Sequence, residues 1–141
     1  MKTGKIILTL AGLYTAFGSY IFDWNHTHIY NAHWPPHAKF HNAQTMLLGT
    51  MLGLMSLWMI WGKRVKTLID FRITVAIVSF YWLGQVGAYF FPGTALVDPE
   101  FVKELPPVQL IVCGIVFAVT GVGYMFVTSS YGKTNNISTI C

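Results

Sequence analysis

The sequence has little charge. Asp, Glu, Lys and Arg make up only 10% of its 141 residues, against roughly 25% in a typical soluble domain. Apolar residues make up 54%. That pairing excludes a soluble globule and a disordered chain. The net charge of +4 rests on nine Lys and Arg, too few and too dispersed for a nucleic-acid interface. Cysteine is scarce as well. Cys113 lies inside an apolar run and Cys141 is in the polar tail, so no disulfide is expected. Cys141 is also misplaced for a prenylation box. Alternating ten-residue segments are missing, which argues against a transmembrane β-barrel. Internal repeats and low-complexity stretches are missing too.

What is present is four long apolar runs: 6–22, 43–61, 73–91 and 108–127. Each approaches the roughly 20 residues that a helix needs to cross a hydrocarbon core. Lipid leaves no backbone group unsatisfied, so each run is expected to be an α-helix. The expectation is an all-α, integral membrane four-helix bundle over residues 1–128, followed by a polar, mobile tail over 129–141. Lys2 and Lys5 ahead of the first run also fit a signal peptide, but that run is long for one and no good cleavage site follows.

Charge placement gives the orientation. Lys2, Lys5, Lys63, Arg64, Lys66, Arg72 and Lys133 share one side of such a bundle, which is seven of the nine basic residues. Lys39 and Lys103 are on the other, with Asp23, Asp98, Glu100 and Glu104. Both termini are therefore expected in the cytoplasm, with the segments 23–42 and 92–107 facing outward. A bacterial inner membrane is the expected location.

All five histidines fall within sixteen residues: His26, His28, His33, His37 and His41. Pro35 and Pro36 suit a first helical turn, so the second helix should start there. His37 and His41 then share a face, with Gln44 and Leu48 below them. Two imidazoles four residues apart can ligate one ion, and His28 or His33 can complete a divalent site such as zinc. The same imidazoles can instead act as general acid and base, or rest at headgroup depth beside Trp24, Tyr30, Trp34 and Tyr89. Below the loop, polar side chains mark one face of each span: Ser19, Gln44, Tyr81, Gln85, Tyr89 and Gln109. Turned inward, they would form the lower wall of a pocket. Gly49 and Gly53 form a small-residue pair that allows helices to approach closely, and Gly84, Gly87, Gly114, Gly121 and Gly123 are expected to do the same. Met46, Met51, Met55 and Met59 read as packing or lipid-facing residues.

The run Trp34-Pro35-Pro36-His37-Ala38-Lys39-Phe40-His41-Asn42-Ala43-Gln44 resembles the first-loop motif of an uncharacterised family of small bacterial and fungal membrane proteins. In size and span number the chain is similar to DoxX-like proteins. The resemblance implies a four-helix membrane protein with a functional histidine loop, and names no substrate. The sterol-isomerase and emopamil-binding group is a weaker analogy, and its intramembrane acids have no counterpart in these runs. Membrane desaturases use several histidine boxes, which one loop does not supply.

The functional expectation is a metal- or small-ligand-binding site on the outer face. His37 and His41 would be the catalytic residues if the protein is an enzyme, which the sequence leaves open. Asp23, Asn42, Gln44, Tyr81, Gln85 and Tyr89 would bind the ligand, and His28, His33, His37 and His41 would hold any metal. Expected partners are the bilayer, a hydrophobic small molecule, and a second copy or a larger membrane protein. The alternative is a non-catalytic accessory subunit.

Overall fold

A computed structural model describes residues 1–63, 67–104 and 106–138, with side chains to Gly132. Arg64, Lys66 and Cys141, and the side chain of Lys133, lie outside the described residues. Four helices form: α1 (Lys2–Asp23), α2 (Pro36–Trp61), α3 (Leu68–Ala88) and α4 (Gln109–Ser138). All four are long and apolar enough to cross a membrane. No strand occurs among the described residues.

Local chemistry explains where the helices begin and end. Pro36 occupies the first position of α2 after an extended Pro35, as its fixed φ and missing N–H favour. The third helix starts five residues before the expected 73 and stops three before the expected 91. Its start is a capping box: Thr67 Oγ1 accepts from the Asp70 amide at 3.2 Å, and Asp70 Oδ2 accepts from the Thr67 amide at 2.9 Å. Those bonds satisfy two amides that the first turn would otherwise leave unpaired. At the other end Tyr89 is the C-cap, and Phe90 begins a turn by donating to Gly87 O at 3.0 Å. The fourth helix does not break at 128 but continues to Ser138.

The bundle is a square. α1 packs on α2 and α4, α3 packs on the same two, α1 and α3 meet across the short diagonal, and the backbones of α2 and α4 stay apart among the described residues. Each helix buries a narrow seam with steps of three and four residues. On α2 the seam is Met46, Gly49, Gly53, Ser56 and Ile60; on α4 it includes Cys113, Val116, Thr120 and Val127. Such spacing gives the shallow crossing of a coiled-coil-like bundle. The remaining faces carry large apolar side chains in the open, among them Phe17, Ile21, Met51, Trp58, Phe80, Ile111 and Met125.

Packing is closest at the end that holds the termini. There Leu8, Ile60, Phe71 and Val127 form one fully buried cluster, with the Lys5 ammonium over the Trp61 and Phe71 rings. Midway, Ala11, Val78, Trp82, Cys113 and Val116 form a second. The opposite end, under the segments 24–35 and 89–108, is hollow.

Gly49 and Gly53 do allow a close approach, and they use it against α1. A Cβ on Gly53 would stand 2.5 Å from Ala16 N and 2.6 Å from Gly12 O. Gly123 lies close against the Leu8 side chain, whose Cγ would stand 2.9 Å from an added Cβ. The expectation fails for Gly84, Gly87, Gly114 and Gly121, whose added Cβ atoms would meet nothing within 4 Å. They lie on open faces and pack against no neighbouring helix. Gly53→Ala is therefore expected to destabilise the bundle by about 1–3 kcal/mol through overpacking. Gly121→Ala should be neutral or stabilising by up to about 1 kcal/mol through helix propensity. Thermal unfolding of both variants in detergent, followed by circular dichroism, checks the contrast.

Candidate functional site

The hollow end is a cavity of about 580 Å³, within the usual range for small-molecule sites. Three helices and two connecting segments wall it, and α2 contributes no lining residue. Its deep wall is aromatic. Tyr14 stacks on Trp82 with centroids 5.6 Å apart, and Tyr81 meets Trp82 edge-on. Trp82 is locked by donating Nε1–H to the buried Thr15 Oγ1 at 2.9 Å. Higher up, Ser19 and Asp23 come from α1, Gln85 from α3 and Gln109 from α4. The upper part holds His26, whose ring meets Phe101 edge-on, and Trp34, whose ring meets His28 edge-on.

One polar chain inside the cavity has a determined sense. Asn25 Nδ2 donates to Phe22 O at 2.7 Å, which fixes its amide orientation. Its Oδ1 then accepts from the Thr27 amide at 2.8 Å and from the Thr27 hydroxyl at 2.6 Å. A hydroxyl has one hydrogen. With that hydrogen given to Asn25, the 2.7 Å contact between Thr27 Oγ1 and His28 Nδ1 requires Nδ1 to be the donor. The neutral ring consequently presents a lone pair at Nε2, an assignment from the network as is usual for histidine. That Nε2 stands 3.8 Å from Asp23 Oδ1. Two acceptors face each other, and only a proton or a donor between them makes the contact favourable. Asn42 Nδ2 holds the other Asp23 oxygen at 3.2 Å.

Two further carboxylates tie the segments above the cavity to each other. Glu100 accepts from Asn31 Nδ2 and from His33 Nδ1, both at 2.6 Å. Asp98 Oδ2 accepts from Trp34 Nε1 at 2.9 Å. The Asn31 and His33 hydrogen bonds hold the Glu100 carboxyl below its ordinary value of 4.5.

The expected site residues thus divide. Asp23, His28, Tyr81 and Gln85 meet at the cavity, with Asn42 behind Asp23. His33 lies outside it on Glu100. His37 and His41 form an exposed pair on the first turns of α2, with Nε2 atoms 3.0 Å apart and His41 Nδ1 donating to Gln44 Oε1 at 3.2 Å. Tyr89 is exposed at the end of α3. The four histidines expected to share a metal are in three separate places. Among the described residues no group of three or more His, Cys, Asp or Glu side chains is placed to hold an ion. The separation has a physical cause. Residues 24–35 fold on their own Asn25 and Asn31 side chains, which turns His28 inward and His33 toward Glu100. Trp34, Trp82 and Phe101 line the cavity without having been expected to bind a ligand.

These features define a four-helix chain with a small-molecule-sized cavity at one end. The chain belongs to the Family of unknown function (DUF6640), whose model matches residues 7–132. No curated protein and no solved structure matches it.

The Glu100 anchor has a pH dependence of definite sign. Its folded value lies below 4.5, so its contribution is fully present above that pH and is lost as pH falls through the folded value. Protection of the amides at 31–34 and 98–101, taken relative to the intrinsic exchange rate at each pH, should fall on acidification through that range. In Glu100→Ala it should already be low at neutral pH. Identical exchange in the two proteins at neutral pH would show that Glu100 does not secure these segments.

Proposed function

We propose that this protein is a multi-pass membrane protein with both termini in the cytoplasm, and that it binds a small, largely apolar molecule in the loop-end cavity. The bilayer is the natural cover for the exposed Phe, Leu, Ile, Met and Trp side chains, since soluble monomers rarely expose large contiguous apolar patches. The termini end carries most of the Lys and Arg, which favours the cytoplasmic side. The cavity then lies at outer-leaflet depth, accessible to molecules dissolved in lipid.

The observation that carries the reading is the composition of that cavity. Aromatic and aliphatic walls converge on a few oriented polar groups, led by Asp23 and His28, as in small-molecule sites generally. The pair can also exchange a proton with a bound molecule. On this reading the chemistry belongs to His28 and Asp23. His37 and His41 instead form a surface element.

Val112 lines the cavity from α4, so Val112→Trp fills space without altering Asp23 or His28. Native mass spectrometry of the wild type, released from mild detergent, should show a bound small molecule that the variant lacks. An adduct that persists in Val112→Trp, or no adduct on either protein, would overturn the reading.

The accessory-subunit reading is favoured by one observation. Gly84, Gly114 and Gly121 leave open, close-approach positions on α3 and α4, whereas Gly49 and Gly53 are already used inside the bundle. Gly121→Leu would disrupt such a complex while leaving the cavity unchanged.

A further inference from the structure

The cavity is unbalanced between hydrogen-bond donors and acceptors. No Lys or Arg lines it, and two carboxylates, Asp23 and Asp98, do. Most lining donors are already engaged within the protein. Trp82 Nε1 is on Thr15, Trp34 Nε1 on Asp98, the Thr27 hydroxyl on Asn25 and His28 Nδ1 on Thr27. Gln109 Nε2 donates to Leu96 O, which fixes that amide and leaves Gln109 Oε1 buried with no partner. Ser19, only 8% exposed, leaves its Oγ beside the Tyr81 hydroxyl without meeting hydrogen-bond geometry. Tyr14, His26, Tyr81 and Gln85 can act in either sense. Asp23 Oδ1 and His28 Nε2 stand 3.8 Å apart at the cavity, both still accessible, so a single donor group can reach both.

From this we infer that the cavity takes a cationic amphiphile whose head is a primary or secondary ammonium, seated between Asp23 and His28. The inference rests on the cavity-binding reading and adds the chemical class of the ligand. An ammonium with at least two N–H groups gives one to the Asp23 carboxylate and one to the His28 Nε2 lone pair. That answers both acceptors with one atom, and charge assistance strengthens the bond to Asp23. Trp34, whose ring lies against His28, and Phe101 line the same upper part of the cavity and suit a cation, since aromatic rings attract one over their negative faces. The apolar remainder of the ligand lies along Ile21, Phe22 and Val112. An anionic head would face two carboxylates with no basic residue to offset them. A quaternary head has the charge but no N–H for His28. An alcohol has a single hydrogen and no charge.

The test uses the full chain in phosphatidylcholine nanodiscs at neutral pH. Trp24, Trp58 and Trp61 are replaced by Phe, so that Trp34 and Trp82 report from the cavity wall. Four bromoalkyl probes of equal length are titrated as quenchers, ending in a primary ammonium, a trimethylammonium, a hydroxyl or a carboxylate. The primary ammonium should give saturable quenching, tightest of the four. Asp23→Asn and His28→Ala should each weaken it by about tenfold or more, the scale of a lost charged or buried hydrogen bond. An unchanged elution profile certifies each variant as folded, and two variants are used so that failure of one leaves the other decisive. If the alcohol, the trimethylammonium or the carboxylate binds as tightly, or if both folded variants bind the ammonium like the wild type, the head-group assignment is wrong while a cavity ligand stands. If none of the four quenches saturably, the cavity-binding reading fails, and the inference with it.

Discussion

The structure depends on the close approach of α1 and α2. Gly12 and Ala16 on one helix and Gly53 on the other leave no room for even a methyl group between the two backbones. The contact fixes the register of the pair, since a slide of one residue would set side chains where only hydrogens fit. Register in turn brings the end of α1 beside the second turn of α2's polar start. There Asn42 reaches Asp23, and the orientation of Asp23 defines the polar side of the cavity. A steric constraint deep in the bundle thus governs a carboxylate more than two helical turns away.

The second determinant is the gradient of packing along the axis. Phe71, Leu8, Ile60 and Val127 fill the termini end, and the Tyr14–Trp82 stack closes the middle. Above that stack the inward side chains turn small or polar: Gly18 and Ser19 on α1, Gln85 on α3, Gln109 on α4. Helices held apart by large rings below cannot collapse onto small residues above. The void is therefore a consequence of the sequence and is bounded by rigid elements. The flexible-looking part, residues 24–35 and 89–108, is tied across the top by Glu100 and Asp98.

Much of this was legible in the amino-acid order. The four apolar runs became four helices because their length and lack of charge admit little else, and Pro35–Pro36 marked the start of α2. Of the polar stripe, Ser19, Tyr81, Gln85 and Gln109 turn to one hollow, whereas Gln44 and Tyr89 do not line it. Two things were not legible. The seam of α2 is narrow and its other faces are equally apolar, so the direction of His37 and His41 could not be taken from periodicity. The fate of His28 and His33 depends on pairings sixty-odd residues apart and on the Asn25 turn, which hydropathy does not register. The start of α3 at Leu68 rests on the Thr67 capping box, a side-chain signal that a hydropathy run beginning after Arg72 does not contain.

The absence of α2 from the cavity wall separates conspicuousness from chemistry. The two most recognisable patterns in the sequence, the paired histidines and the paired glycines, are both on that helix. One is a surface feature and the other is internal scaffolding. α2 thus serves as a handle: its exposed first turn, around His37, can accept a label or a cross-linker while the cavity across the bundle keeps its shape.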